Sequence, residues 1–101
     1  MSTLVGEQKV AIQDVKITSE SLAVDLSDGR TMSCPLAWFP RLVHATSAER
    51  SHWEFLGRGV GIHWPDLDED ISLEGILAGR ASGESQESLG KWLDARTKKK
   101  A

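Results

Sequence analysis

The segment Leu-Ala-Val-Asp-Leu-Ser-Asp-Gly-Arg-Thr-Met-Ser-Cys-Pro, residues 22–35, decides the first part of the fold. Its apolar residues at positions 22, 24 and 26 fall on one face of an extended chain, which is typical of a half-buried strand. Asp28 and Gly29 follow, and both tolerate the positive φ of a tight hairpin turn. The segment therefore predicts two antiparallel strands. The second runs from Thr31 to Pro35, whose missing N–H ends the pairing.

Further strands are predicted on both sides of this hairpin. Residues 10–17 are β-branched and partly alternating, which favours a strand and completes a three-stranded antiparallel meander. Phe55 and Leu56 begin another extended piece. The glycine-rich turn at residues 57–59 leads from it into a strand between Val60 and Trp64, so we expect a later hairpin.

Two short helices are predicted between the meander and the later hairpin. Pro40 suits the first turn of a helix, because its missing N–H would be unpaired there in any case. Thr46, with Glu49 three residues later, matches a capping box. The second helix is expected to run to about Trp53.

Two more helices are predicted near the carboxyl end. Ser72 is suited to cap a helix from Leu73 to Ala78, which Gly79 would end. Residues 81–84 are typical of a flexible linker. Residues 85–96 can form a last helix, and its three apolar residues on one side are Leu89, Trp92 and Leu93.

This order of elements favours an α+β fold, with a small antiparallel β-sheet, short helices packed on it and a C-terminal helix. We divide the chain into an α+β domain at residues 1–80 and a linker with an amphipathic, basic helix at residues 81–101. A single core in 101 residues is thin. We therefore expect modest stability, or help from a homodimer.

Bulk composition is typical of a globular protein of the cytoplasm. The chain is 40% apolar and 27% charged. No run approaches the roughly 18 apolar residues of a membrane-spanning helix, and the first residues lack the pattern of a signal peptide. Cys34 is the only cysteine and cannot form an internal disulfide, which fits a reducing compartment.

The charge is unevenly distributed. Residues 91–101 carry +4, from five basic side chains against Asp94, so the remaining chain carries −7 of a total of −3. An acidic body repels nucleic acid, and a short basic tail attracts it weakly. The tail is also typical of a solvated terminus without a partner.

A cluster of carboxylates lies at the end of the last predicted strand. Residues 59–71 read Gly-Val-Gly-Ile-His-Trp-Pro-Asp-Leu-Asp-Glu-Asp-Ile, with four carboxylates at positions 66–70. The packing of a small core does not need such a charge density, so we interpret this segment as a functional surface. A structural alternative is that the carboxylates precede a helix and stabilise its positive end. In that case Arg30 and Arg41 would pair with them inside the fold.

Several segments together resemble the DUF2442 family of small bacterial domains of unknown function. The resemblance covers about residues 8–80. The resemblance rests on four motifs: Asp28-Gly29-Arg30, the Trp-Phe-Pro-Arg-Leu run at 38–42, His63-Trp64-Pro65 with the following acidic residues, and Gly-Ile-Leu-Ala-Gly at 75–79. The resemblance implies a compact α+β domain. Some members carry an appended helix-turn-helix, which this chain lacks, and others look like partners of a neighbouring small protein in a toxin–antitoxin-like arrangement.

No catalytic or metal-binding pattern emerges from the sequence. An EF-hand loop opening at Asp66 would need Gly and Glu where Ile71 and Leu77 stand. A looser site of His63 with Asp66 or Asp68 is a weak alternative. The three histidines lack zinc spacing, and Cys34 in a strand is more typical of an inert thiol. We therefore expect no cofactor, no metal and no enzymatic activity.

The sequence favours a non-enzymatic protein-binding module that is antitoxin- or inhibitor-like. It would hold a small basic partner through an acidic and aromatic surface, as an anti-CRISPR or other phage inhibitor does. Tryptophan and arginine are frequent at interface hot spots, although the tryptophans also suit the core or its rim. The candidate partner-binding residues are Trp38, Arg41, His63, Trp64, Asp66, Asp68, Glu69 and Asp70.

A nucleic-acid-associated role is the alternative. A transcriptional regulator or ligand-sensing domain would use the basic C-terminal segment to contact phosphates, with an affinity that falls steeply as salt rises. The candidate residues are Lys91, Arg96, Lys98, Lys99 and Lys100. A residual enzymatic hypothesis would depend on His63 and the nearby carboxylates.

Overall fold

The first half of the chain folds as the predicted meander. In this computed structural model, residues 10–100 are described, with only the backbone of residues 98–100. Strands β1 (Ile12–Ile17), β2 (Ser21–Leu26) and β3 (Thr31–Pro35) form an antiparallel sheet in the order β1-β2-β3. Val24 on the central strand pairs with Val15 on one side and Met32 on the other. The hairpin prediction is confirmed, with Gly29 at a φ of 94° in the turn.

A second three-stranded sheet follows, one strand larger than the predicted later hairpin. Strands β4 (Glu54–Leu56), β5 (Gly61–Trp64) and β6 (Glu69–Ser72) are antiparallel in the order β4-β5-β6. Glu69 and Asp70 were expected to follow the last strand, which is wrong, because they begin the further strand β6. As the structural alternative expected, they still precede a helix, Leu73–Ala78. Strand β6 pairs through Ile71 with Ile62 of β5. Its other three residues are polar, so the sequence carries little strand signal there.

The described residues form four short and medium helices. They are α1 (Pro40–Val43), α2 (Ser47–Ser51), α3 (Leu73–Ala78) and α4 (Gln86–Lys100), and a 3₁₀ turn at Leu36–Trp38 precedes α1. None of the described helices is long and apolar enough to cross a membrane. Together with the two sheets, these helices confirm the α+β prediction.

The predicted helix caps are present. The hydroxyl of Thr46 accepts from the backbone N–H of Glu49 at 3.1 Å, and the Glu49 carboxylate accepts from the Thr46 N–H at 2.8 Å. This capped helix, α2, ends at Ser51, slightly before the expected end. Ser72 accepts from Gly75 at 2.9 Å to open α3, and Gly79 ends it with a φ of 73°.

Trp64 ties the second sheet to the helices. Its side chain is fully buried. The indole N–H donates to the backbone carbonyl of Arg50 at 3.0 Å. The Arg50 guanidinium in turn donates to the carbonyls of Leu42 and Val43, at 2.8 and 3.0 Å. The carbonyl groups at the end of α1 thereby gain partners that the short helix cannot provide.

The two sheets meet at Gly59. Its carbonyl accepts from the backbone N–H of Ile12 in β1 at 2.8 Å. A Cβ atom on Gly59 would lie 2.7 Å from the Ile12 carbonyl oxygen, and the φ of Gly59 is +90°. Both the close approach and the left-handed backbone therefore require glycine.

Helix α4 docks on the body of its own chain, which the sequence left open. Trp92 is half-buried, and the guanidinium groups of Arg41 and Arg96 lie over its ring, 5.0 and 4.6 Å from its centre. Arg96 donates to both carboxylate oxygens of Glu49, at 2.9 and 3.0 Å. This bond lowers the pKa of Glu49 to about 2, despite partial burial. The half-buried face of α4 extends over Leu89, Trp92, Leu93 and Arg96.

We expect Gly59→Ala to destabilise the protein by about 2–4 kcal/mol, because the new methyl group adds overlap with β1 to an unfavourable φ. Urea denaturation followed by circular dichroism measures the loss. Gly83→Ala is the matched control, since no atom lies within 4 Å of the added Cβ. An equal loss of stability in both variants would contradict the role of Gly59 at the junction.

We expect Arg96→Lys to destabilise the protein by about 1–2 kcal/mol, because lysine cannot reproduce the paired bonds to Glu49. Hydrogen exchange of the α4 amides should rise in this variant. Lys91→Met is the control, since Lys91 forms only an exposed 3.7 Å pair with Glu87 and should contribute less than about 0.5 kcal/mol. Unchanged exchange in the Arg96 variant would show that the pair does not hold the helix.

Candidate functional site

Arg41 binds the backbone of the acidic segment, residues 66–70. Leu67 is fully buried and anchors the connection between β5 and β6. The Arg41 guanidinium donates to the carbonyls of Leu67 and Asp68, at 2.8 and 3.3 Å. Its other N–H groups bind the Glu84 carboxylate at 2.6–3.0 Å, and this bonding lowers the pKa of Glu84. The connection is therefore fixed by one buried side chain and by hydrogen bonds to its backbone.

The outer face of the second sheet places one histidine between two carboxylates. His63 of β5 is in register with Glu54 of β4 and with Asp70 of β6. Its Nδ1 donates to Asp70 at 2.5 Å. This hydrogen bond raises the pKa of His63, desolvation opposes the effect, and the charges of Asp70, Glu54 and Asp68 add to it. A second pair joins His52 and Asp66 at 2.8 Å.

We call the exposed carboxylates of Glu54, Asp66, Asp68 and Asp70 the acidic surface. Asp68 stands at a φ of 52°, a left-handed conformation that Asp and Asn adopt more readily than most residues. The side chains of Asp66 and Asp70 are 44% and 64% exposed. Glu54 was not among the predicted site residues. Its place opposite His63 depends on strand register, which the short strand β4 does not reveal in the sequence.

Several predicted site residues lie elsewhere. Trp64 is buried in the core, so the prediction that it faces a partner is wrong. Trp38 is half-buried against the core. The exposed aromatic ring in β4 is Phe55, which is 40% exposed and packs edge-to-face on Trp53 at 5.1 Å. It pairs with the buried Ile62 and therefore lies on the opposite face of the sheet from Glu54 and His63.

The arginines also differ from expectation. Arg30 pairs with Asp28 at 2.8 Å and not with the acidic segment. Arg41 contacts that segment through backbone carbonyls, its carboxylate partner is Glu84, and only 15% of its side chain is exposed. Arg96 is similarly occupied by Glu49, with 16% of its side chain exposed. The Arg41 side chain is therefore not free to contact a partner in this structure. The Arg96 side chain is likewise not free to contact a phosphate.

Glu69 faces inward, unlike the other carboxylates of the segment. It pairs with the buried Trp64 and shares the inner face of β6 with Ile71. Burial raises its pKa to about 7. Arg41 opposes that shift, and the charges of Glu84, Asp70 and Asp68 add to it. Glu69 is half-buried and lines a cleft of about 290 Å³ beside α3.

The described residues hold no group of three or more histidine, cysteine or carboxylate side chains placed to bind a metal. His63 is paired with Asp70, and Asp66 with His52, in place of the looser combination that the sequence suggested. Cys34 is buried, and its burial raises the pKa of the thiol. A thiol with these properties is less nucleophilic than an exposed one.

A family model described as "Protein of unknown function (DUF2442)" matches residues 12–82 of the chain. The chain belongs to the DUF2442 family. The match includes both sheets and helices α1 to α3, and it ends before α4. The comparison with curated proteins gave no match.

Two solved structures resemble this DUF2442 protein. One is a crystal structure of a protein of unknown function from Rhodospirillum rubrum, 30% identical, with a TM-score of 0.66 over 78% of this chain and 98% of the other. The second is a solution structure of an uncharacterized protein from Chromobacterium violaceum, 23% identical, with a TM-score of 0.63 over 88% of this chain and 81% of the other. The second likeness concerns the fold alone.

We expect Glu69→Gln to stabilise the protein at high pH only. The pKa of Glu69 rises from 4.5 to about 7 on folding. Its favourable contribution is therefore complete below pH 4.5 and is lost as the pH rises through 7. After allowance for solvent screening, the variant should be about 1–2 kcal/mol more stable than wild type at pH 8 and equal to it at pH 4.

Thermal denaturation across this pH range measures the difference. Subtracting the wild-type curve removes the titration of the histidines. Glu74→Gln, on exposed surface of α3, is the control and should follow wild type throughout. A constant offset between Glu69→Gln and wild type at every pH would contradict the effect of partial burial on the carboxylate.

Proposed function

We propose that this DUF2442 protein is a non-enzymatic protein-binding module, antitoxin- or inhibitor-like, that binds a small basic partner through the acidic surface. One observation carries the proposal. Four exposed carboxylates are arranged around His52 and His63 on a sheet face and its adjoining loop. Such a face is complementary to clustered lysine and arginine side chains.

The contacts that hold the acidic surface in one conformation support recognition of a specific partner. Leu67 and Arg41 fix the loop backbone, and the two histidines orient Asp66 and Asp70. A surface that is already ordered loses little conformational freedom on binding.

Electrostatics favour fast encounter with a basic protein. The chain outside residues 91–101 carries −7. Long-range attraction of this kind raises association rates and weakens as salt screens it. A small inhibitor that covers a nucleic-acid-binding surface, as an anti-CRISPR or phage-borne protein would, needs the same charge distribution. A cytoplasmic location and a homodimeric form belong to this proposal.

The nucleic-acid alternative has fewer residues to support it. Arg96 is bound to Glu49 and Trp92, and Lys91 is exposed beside Glu87. The alternative would therefore depend on Lys91 and on Lys98, Lys99 and Lys100.

We expect Asp66→Asn, Asp68→Asn and Asp70→Asn together to lower affinity for the partner by about 10- to 100-fold, or about 1.4–2.8 kcal/mol. Asparagine can accept hydrogen bonds from the two histidines and tolerates the backbone of Asp68. A tagged protein, used in nuclease-treated lysate of its host at low and high salt, isolates the partner. Isothermal titration calorimetry with the purified partner then gives the affinity.

The matched control is Glu20→Gln, Glu74→Gln and Glu87→Gln, which removes the same charge from other exposed positions. It should bind like wild type. Equal affinity of all three proteins would overturn the proposal. Recovery of nucleic acid alone, lost on nuclease treatment, would favour the basic tail instead.

A further inference from the structure

A second cleft lies on the first sheet, between β1 and α2. Its volume is about 370 Å³, within the range of small-molecule sites. Three kinds of side chain line it: apolar Val15 and Ile17 on β1, hydroxyls of the following turn and of α2, and Trp53 with Arg50. The hydroxyl residues are Thr18, Ser19, Ser47 and Ser51. No carboxylate lines this cleft, although the protein as a whole is acidic.

Arg50 brings a positive charge without a carboxylate partner among residues 10–97. Its Nε and Nη2 groups donate to the carbonyls of Leu42 and Val43, which fixes the guanidinium. A guanidinium has five N–H donors. Three of them therefore remain without a partner in the described part of the chain. An arginine held in this way keeps its charge, because carbonyls neutralise none of it.

The hydroxyls add further free donors. Thr18 is engaged, since its Oγ1 accepts from the backbone N–H groups of Glu20 and Ser21. Ser19, Ser47 and Ser51 form no side-chain hydrogen bond with any other described residue. Three hydroxyls and three guanidinium N–H groups thus border one cleft. This excess of donors suits an oxyanion with three or more oxygens better than a carboxylate with two.

The apolar residues that line the rest of the cleft indicate an organic ligand. A free phosphate group would fill only part of the cleft. Val15, Ile17 and the half-buried ring of Trp53 provide an apolar side for the rest of the ligand. A planar or apolar group can pack against the indole.

We propose that the cleft between β1 and α2 binds a small organic phosphate, with Arg50 and the serine hydroxyls holding the phosphate and Trp53 contacting the attached organic group. This site is separate from the acidic surface and does not depend on the protein-binding function proposed above.

Phenyl phosphate is a suitable probe, and the full chain labelled with ¹⁵N is titrated with it. We expect saturable chemical-shift changes at the amides of Ser47, Arg50 and Ser51 and at the Trp53 indole N–H. Inorganic phosphate should shift the same amides with at least about tenfold weaker affinity, because it lacks the ring. Benzoate should bind more weakly than phenyl phosphate.

Ser51→Asp tests the charge of the cleft without removing Arg50, whose bonds to α1 support the fold. The new carboxylate would pair with Arg50 and repel the phosphate, so affinity should fall at least about tenfold. Ser33→Asp, on an exposed position of β3, adds the same charge elsewhere and should leave affinity unchanged. Retained wild-type binding in Ser51→Asp would overturn the assignment.

Other outcomes would also contradict the proposal. The absence of saturable shifts with phenyl phosphate would rule out the site. Equal weakening by Ser33→Asp would indicate net charge alone, and benzoate binding as tight as phenyl phosphate would exclude the phosphate assignment. A short oligonucleotide that shifts the same amides with higher affinity would show that the ligand is nucleic acid and not a small molecule.

Discussion

The fold depends on the contact between strand β1 and Gly59, where a backbone hydrogen bond joins the first sheet to the turn between β4 and β5. The buried core is one cluster that draws residues from both sheets. The close approach at this point lets the inner faces meet over a common core, with Trp64 and Leu42 at its centre. Leu67, which anchors the connection between β5 and β6, is buried in the same core.

Local signals predicted much of this architecture. The Asp28-Gly29 turn, the capping box at Thr46 and the serine cap at Ser72 each depend on residues within four positions, and each is present in the structure. Strand β6 was missed because one apolar residue, Ile71, holds it to its neighbour. Short strands that owe their existence to a partner strand leave little trace in their own sequence.

The candidate site was predictable in place but not in detail. The position of the acidic segment followed from its composition. The inward direction of Glu69, the burial of Trp64 and the occupation of Arg41 by Glu84 did not. These depend on strand register and on contacts across 43 residues of sequence. The types of side chain in a sequence therefore distinguish a charged surface from a core. They do not show which charged residues form contacts within the fold instead of facing solvent.

Helix α4 lies outside the family match and is held by the contacts of Trp92 with two arginines. Its 15 residues extend over about 22 Å, on a molecule whose longest dimension is 59 Å. Because α4 is held near its middle, a small rotation of the helix would displace its ends most. A fluorophore attached near the carboxyl end of α4 would therefore report a change in the docking of the helix as a change in its distance to the sheets.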